Sequence, residues 1–294
     1  MSIAKYIIAG LTAIASVTAV PQGPGANNGH RGTPTTMITA TSSALDIPTI
    51  VQPPSPPPAD TAAASAAAAS ASALARLALQ DVTNVARFNT LLTVNGEGQE
   101  LLPEDELRDR VVFDFGARAA PLGEGGRFVL ANANNFPILV DQGIATAVGF
   151  LDACGMKSPH THPRATEWLT VVQGKLQSGF MLENAFLANR ETGQLTTQVP
   201  SELSAFQGTV FPQGSIHFQF NPTCEPATFI ATLNSEDPGT SQVAQNFFFL
   251  DEKIVNITLG EVQSIDGSNI EEFRELLPAN LVQAVDSCLA ACGM

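Results

Sequence analysis

Histidine occurs only four times in the 294 residues, and three of the four, His160, His162 and His217, fall close together in the most strand-like part of the chain. Imidazole binds borderline metal ions and carries protons near neutral pH. His160 and His162 stand two apart, and in an extended backbone that spacing sends both rings out of the same face. Glu167 would face the other way in an unbroken strand, but Pro163 ends the first run and lets the next one re-aim the carboxylate. On that second run Glu167, Leu169 and Val171 share a face. His217 opens a third run after the tight turn Pro212-Gln213-Gly214, with Gln219 and Asn221 on its own side. Three imidazoles and a carboxylate, with no thiolate, suit one divalent ion, Mn, Fe or Zn alike. By spacing alone His-x-His is a weak pattern, and each ring read singly is equally a hydrogen-bonded core residue. His30, in a Gly/Pro/Thr-rich stretch, reads as a solvated loop residue.

Short β-like runs must position these side chains: Val111 to Phe115, Arg127 to Ala131, Ile144 to Phe150, Glu167 to Val172, Lys175 to Leu182, Thr209 to Phe211, His217 to Phe220 and Ala227 to Leu233. Gly, Pro and Asn punctuate them, a spacing that predicts a sandwich or barrel rather than βαβ units. Near the end, Ile270 to Leu277 and Ala279 to Ala291 carry apolar residues at helical spacing, with Pro278 between them, which predicts two C-terminal helices.

Upstream the chain changes character. Residues 1–19 combine Lys5, an apolar run from Tyr6 to Val17 and small residues after it, a pattern that predicts a secretory signal peptide. The run is shorter than the ~20 residues a membrane-spanning helix needs. From 20 to 80 the composition is rich in Pro, Ala, Ser and Thr and too poor in large apolar groups to offset its ordering entropy, so this stretch reads as a disordered linker or pro-segment. The alanine tract from Ala62 to Ala73 is its exception, since alanine favours helix and Leu74, Leu77 and Leu79 offer docking groups. Residues 81–294 then form a single domain. Acidic residues outnumber basic ones 28 to 14, and no basic cluster answers a run of phosphates, which argues against nucleic acid as a partner. No later run is long enough to span a membrane, so no membrane partner is expected. Export implies an oxidising environment, in which Cys154, Cys224, Cys288 and Cys292 are an even set able to form two disulfides. Asn256-Ile257-Thr258 is a glycosylation sequon that is meaningful only if exposed.

The segment His160-Thr161-His162-Pro163-Arg164-Ala165-Thr166-Glu167, closing at Gly174, resembles the first sequence box of the germin-like and spherulin-like secreted cupins. Pro212-Gln213-Gly214-Ser215-Ile216-His217-Phe218-Gln219-Phe220-Asn221 resembles the second, and Ser235-Glu236-Asp237-Pro238-Gly239 extends the likeness. Two boxes in order are a specific signal. Cys154 and Phe206 depart from it, standing where glycines are usual, and this bears on turn geometry rather than on ligands. The resemblance implies an all-β fold, a cupin double-stranded jelly-roll barrel with C-terminal α-helices. Within it His160, His162, Glu167 and His217 would bind Mn(II), with Fe or Zn as the other metals these donors suit. It implies a Cys154–Cys224 disulfide between neighbouring antiparallel strands. It also implies self-association through the terminal helices, although their apolar faces can equally pack on their own barrel.

For function, the resemblance implies a secreted manganese-binding protein of stress, encystment or wall association. The alternative is a metal-dependent enzyme acting on a small anion, a superoxide dismutase or, less well supported, an oxalate oxidase. Oxalate-oxidising germins place asparagines three and thirteen residues before the first metal histidine, and this chain has Lys157 and Ala147 there.

Overall fold

The computed structural model describes residues 61–118, 125–259 and 282–294. The signal-like residues 1–19, the proline cluster and the expected helix Ile270 to Leu277 lie outside the described residues. Among the described residues no helix is long and apolar enough to cross a membrane.

Three helices come first: α1 (Thr61–Ala78), α2 (Asn84–Leu92) and α3 (Glu104–Val111). The alanine tract is thus helical. It docks through Ala75 and Ala78, which are buried with Leu91 and Val140 and flanked by Leu74, whereas Leu77 and Leu79 stay exposed. Thr83 caps α2 by accepting from the Ala86 N–H, which satisfies one of the unpaired amides at a helix start. Buried Arg87 then ties the helices together, donating to the carbonyls of Ala78 and Asp81 and pairing with Asp141 at 3.0 Å.

Eleven strands follow among the described residues: β1 (Gly126–Ala131), β2 (Ala145–Leu151), β3 (Gly155–Thr161), β4 (Glu167–Gln173), β5 (Lys175–Met181), β6 (Gln198–Ser204), β7 (Gly208–Phe211), β8 (Ile216–Phe220), β9 (Ala227–Leu233), β10 (Ser241–Gln242) and β11 (Val282–Ala284). They form two antiparallel sheets, one ordered β1-β2-β9-β4-β7 and the other β10-β3-β8-β5-β6, with β11 also on β3. Helices α4 (Val243–Phe248), α5 (Glu252–Thr258) and α6 (Asp286–Ala291) complete the described chain.

This arrangement corrects the expected all-β barrel. No ladder of backbone hydrogen bonds joins the two sheets among the described residues, so neither closes on itself, and six helices make the fold a mixed one. Closure depends on which edges meet, and alternation along single strands carries no information about that. The C-terminal expectation needs correction as well. Among the described residues of the helix predicted from Ala279 to Ala291, Val282–Ala284 is a strand on β3 and Asp286–Ala291 alone is helical.

The core lies between the sheets. Ala147, Leu151, Leu169, Val171, Phe211, Ala227, Phe229 and Ala231 from the five-stranded sheet meet Leu176 and Leu203 from the other, with Phe128, Leu130 and Phe180 packed against them. Gly149 is required here, because a Cβ on it would sit 2.3 Å from the Phe229 ring. On the outer face of β1 and β2, Val129, Val148 and Phe150 are covered by Phe113 and Phe115, from the segment after α3.

Two disulfides staple the C-terminus, pairing Cys154 with Cys288 and Cys224 with Cys292. The expected Cys154–Cys224 bridge is therefore overturned. β11 lies antiparallel to Gly155–Lys157 at the start of β3 and leads α6 to that end of the sheet. Cys288 and Cys292, one helical turn apart, present two sulfurs on one side. The two departures from the glycine pattern both take left-handed backbone, φ 59° at Cys154 and 66° at Phe206, a region that costs a side-chain-bearing residue roughly 1–2 kcal/mol.

Candidate metal centre

The four sequence-predicted ligands come from three strands and one adjoining turn. β3 supplies His160, the residue after its end is His162, β4 begins with Glu167, and β8 carries His217. His160 and His217 face each other directly in the β3–β8 ladder, and Glu167 projects from the opposite sheet. One ligand atom from each of the four lies within 4.8 Å of every other. All four residues are buried, none more than 3 % exposed.

The hydrogen bonds fix which nitrogen faces inward. His160 Nδ1 lies 2.7 Å from the Ser158 carbonyl, His162 Nδ1 2.6 Å from that of Gly239, and His217 Nδ1 3.0 Å from that of Ser215. A carbonyl can only accept, so in each neutral ring the proton sits on Nδ1 and the Nε2 lone pair points away from it. The lone pairs of His162 and His217 then meet the Glu167 carboxylate, with Nε2 at 2.9 Å and 3.3 Å from Oε2. His162 Nε2 is buried and has no aligned hydrogen-bond partner, although it lies within ion-pair distance of that oxygen. Electron-rich atoms this close repel one another unless a positive charge stands between them. The donor set thus fits a divalent cation, with each ring oriented by a backbone acceptor as metal-bound histidines usually are. The Phe211 ring stacks on His217 at 4.4 Å and holds its orientation.

The electrostatics agree. Burial acts to raise the Glu167 pKa, but the hydrogen bonds that protonated His162 and His217 rings donate, together with their positive charge, outweigh it and hold the carboxyl well below the ordinary carboxylate range, which is the stabilisation a cation at that point would supply. Burial, reinforced by the charges of His217 and Lys157, drives His160 well below the usual imidazole value and keeps it neutral. Ionised carboxylate and neutral imidazole are the forms that bind metal.

Two further side chains face this centre. Gln219, on β8, makes a long 3.5 Å contact from Nε2 to Glu167 Oε1, while its own Oε1 is buried without a partner. Sequence alternation placed Gln219 on the face of His217 but gave it no role. Asn221, read on that same face, instead bonds the carbonyls of Asp152 and Glu225 and braces a loop. Lys157 is 1 % exposed, with Nζ 4.5 Å above the Phe128 ring. It lies three residues before His160, and simple alternation would turn the two apart. The ladder, however, slips between Lys157 and His160, so Lys157 pairs with Gln219 while His160 pairs with His217, and both face inward. The backbone acceptors of Ser158, Ser215 and Gly239 carry no residue-type signal that sequence reading could have found.

The chain matches the family model described as cupin over residues 118–268. It is 39 % identical to Spherulin-1A of Physarum polycephalum over 63 % of this chain and 71 % of that protein. It is 36 % identical to Germin-like protein 12-1 of Oryza sativa subsp. japonica, over 66 % of this chain and 83 % of the relative. Among solved structures, an oxalate oxidase in complex with the substrate analogue glycolate aligns at a TM-score of 0.46 and 21 % identity, covering 68 % of this chain and 94 % of the other.

Proposed function

Because this chain belongs to the cupin family and is related to germin-like and spherulin-like proteins, we propose that it is a metal-dependent enzyme whose single ion is held by His160, His162, Glu167 and His217. The observation that carries this reading is the tautomer pattern: three Nε2 lone pairs and one ionised carboxylate converge with no proton to share. Mn(II) is the metal we assign, and Fe or Zn suits the same donors. When bound, such an ion supplies Lewis acidity and, for Mn or Fe, one-electron exchange with a small oxygen-bearing ligand. The protein's part is to orient the ligands through the three carbonyls, to keep Glu167 ionised and to exclude bulk water from a buried site. Four protein ligands leave coordination positions for that small ligand.

Superoxide dismutation is the reaction we place first, because it asks least of the surrounding pocket. Oxalate oxidation ranks behind it, since Lys157 and Ala147 provide none of the amide donors that the resemblance calls for. We also assign the protein to the outside of the cell, a reading supported by the signal-like residues 1–19 and by the two disulfides.

One observation favours a second role for the metal. Glu167 belongs to one sheet and His160 and His217 to the other, so a bound ion would cross-link the two sheets and stabilise the fold by mass action. Metal analysis of the purified protein, with assays of superoxide loss and of peroxide formed from oxalate, tests both. Stoichiometric metal with superoxide loss upholds the enzymatic reading, whereas stoichiometric metal with neither activity, and a Tm that falls on chelation, leaves only the cross-link.

A further inference from the structure

Among the described residues four charged side chains are buried: Arg87, Arg127, Lys157 and Glu167. Each arginine has oxygen acceptors, Arg87 at Ala78, Asp81 and Asp141, Arg127 at the Gly116 carbonyl. Lys157 has none: no carboxylate lies within 4.0 Å of it, and its ammonium faces the Phe128 ring at 4.5 Å. A ring face compensates an ammonium only weakly against the desolvation of a full charge. Glu167 is the sole buried acid among the described residues and is already engaged by His162 and His217. Opposite Lys157 in the ladder, Gln219 leaves its Oε1 without a partner. With a divalent ion present, this interior would hold three positive charges against one negative, and the described residues supply no further counter-charge.

We propose that Lys157 is the specificity-determining residue of the centre: it selects a small anion with oxygen donors, bound between the ion and the Lys157 ammonium, over a neutral ligand of the same shape. This rests on the reading of the centre as a metal site. The near-complete burial of Lys157, His160, His217 and Gln219, each 1 % exposed, limits such a ligand to a few heavy atoms. A lysine kept for packing alone would be better served by methionine, which fills a similar volume without the desolvation cost.

Acetate and acetamide differ by charge and hardly at all in shape, so they make the probe pair. The protein is loaded with Mn(II), and displacement of metal-bound water by each probe is read as a fall in water-proton relaxation. Wild type should respond to acetate and ignore acetamide. Lys157→Met should hold the same Mn(II) stoichiometry and bind acetate about 10- to 100-fold more weakly, while its Tm rises by roughly 2–8 °C. Lys157→Arg, which keeps the charge, should retain the preference for acetate, and it serves as the test should the methionine variant fail to fold. Unchanged acetate binding in Lys157→Met, or equal binding of the two probes by wild type, overturns this inference while leaving the metal reading intact. Failure of wild type to retain Mn(II) removes both.

Discussion

The two sheets enclose the same core, yet their inner faces differ in kind. The five-stranded sheet presents Ala147, Leu169, Val171, Phe211, Phe229 and Ala231, and its one ionisable intruder is Glu167, at the start of β4. The six-stranded sheet presents Lys157, His160, Ser178, His217 and Gln219, with Leu176, Phe180 and Leu203 as its apolar share. One wall is mostly packing surface, and the other carries most of the candidate metal-binding groups. The apolar wall needs only shape and volume, whereas every polar group on the other wall needs a partner, found largely in its own backbone: the carbonyls of Ser158, Ser215 and Phe218 accept from His160, His217 and Ser178. A site built this way can be lost without unfolding the protein, and the core can be damaged without altering the ligands.

Substitutions on the two walls separate those effects. Phe229→Ala empties the centre of the apolar wall and should cost about 3–5 kcal/mol in urea denaturation, while the protein that remains folded keeps its metal stoichiometry. Glu167→Gln preserves shape but removes the negative charge, and should weaken metal retention roughly a hundredfold or more, measured by elemental analysis after dialysis, with a smaller change in the metal-free denaturation midpoint.

Lys157→Met has the opposite sign from both. Burial lowers the Lys157 pKa from 10.5 to about 8, so the folded chain holds the charge at a cost of up to about 3 kcal/mol at neutral pH. Between pH 8 and 10.5 the unfolded chain binds the extra proton, so wild-type stability rises with pH there, and below pH 8 the whole cost is present. The methionine variant should therefore be more stable than wild type at pH 7, by about 1–3 kcal/mol, and the gap should narrow as pH approaches 10.5.

Acid works on the ligand set itself. His160 is held neutral below its usual pKa of 6.5, so stability falls as pH drops through that value and the unfolded chain takes up protons first. Glu167 is held ionised, and its contribution is lost below about pH 4.5. Metal content after stepwise dialysis should decline as pH passes through about 6. The smallest effect belongs to a turn: Phe206→Gly removes an exposed left-handed phenylalanine and should stabilise by at most about 1 kcal/mol, once the greater freedom of glycine in the unfolded chain is counted.

The cluster of His160, His162, Glu167 and His217 was legible because it depends on residue type and on strand alternation within short segments. His-x-His, the face shared by Glu167, Leu169 and Val171, and the inward turn of His217 all follow from a period of two. What depends on a break in that period was hidden. The slip between Lys157 and His160 turns Lys157 inward and shifts the strand register by one, and its one signal in the sequence is Pro159, which has no N–H to give the ladder and was not read as a bulge. The closed barrel failed for a related reason, since edge-to-edge contact is a property of whole sheets. The disulfide pairing failed because β11, three residues long and distant in sequence, decides where Cys288 and Cys292 arrive.

The crossed pairing of the cysteines has a topological consequence. Any single cut of the backbone between Cys224 and Cys288 leaves a fragment bearing Cys154 and Cys224 and another bearing Cys288 and Cys292, joined by two bonds rather than one. A protease that nicks this stretch releases nothing, and the terminal fragment stays moored beside β3. Such a molecule runs as one band on a denaturing gel and separates into two only after a thiol is added.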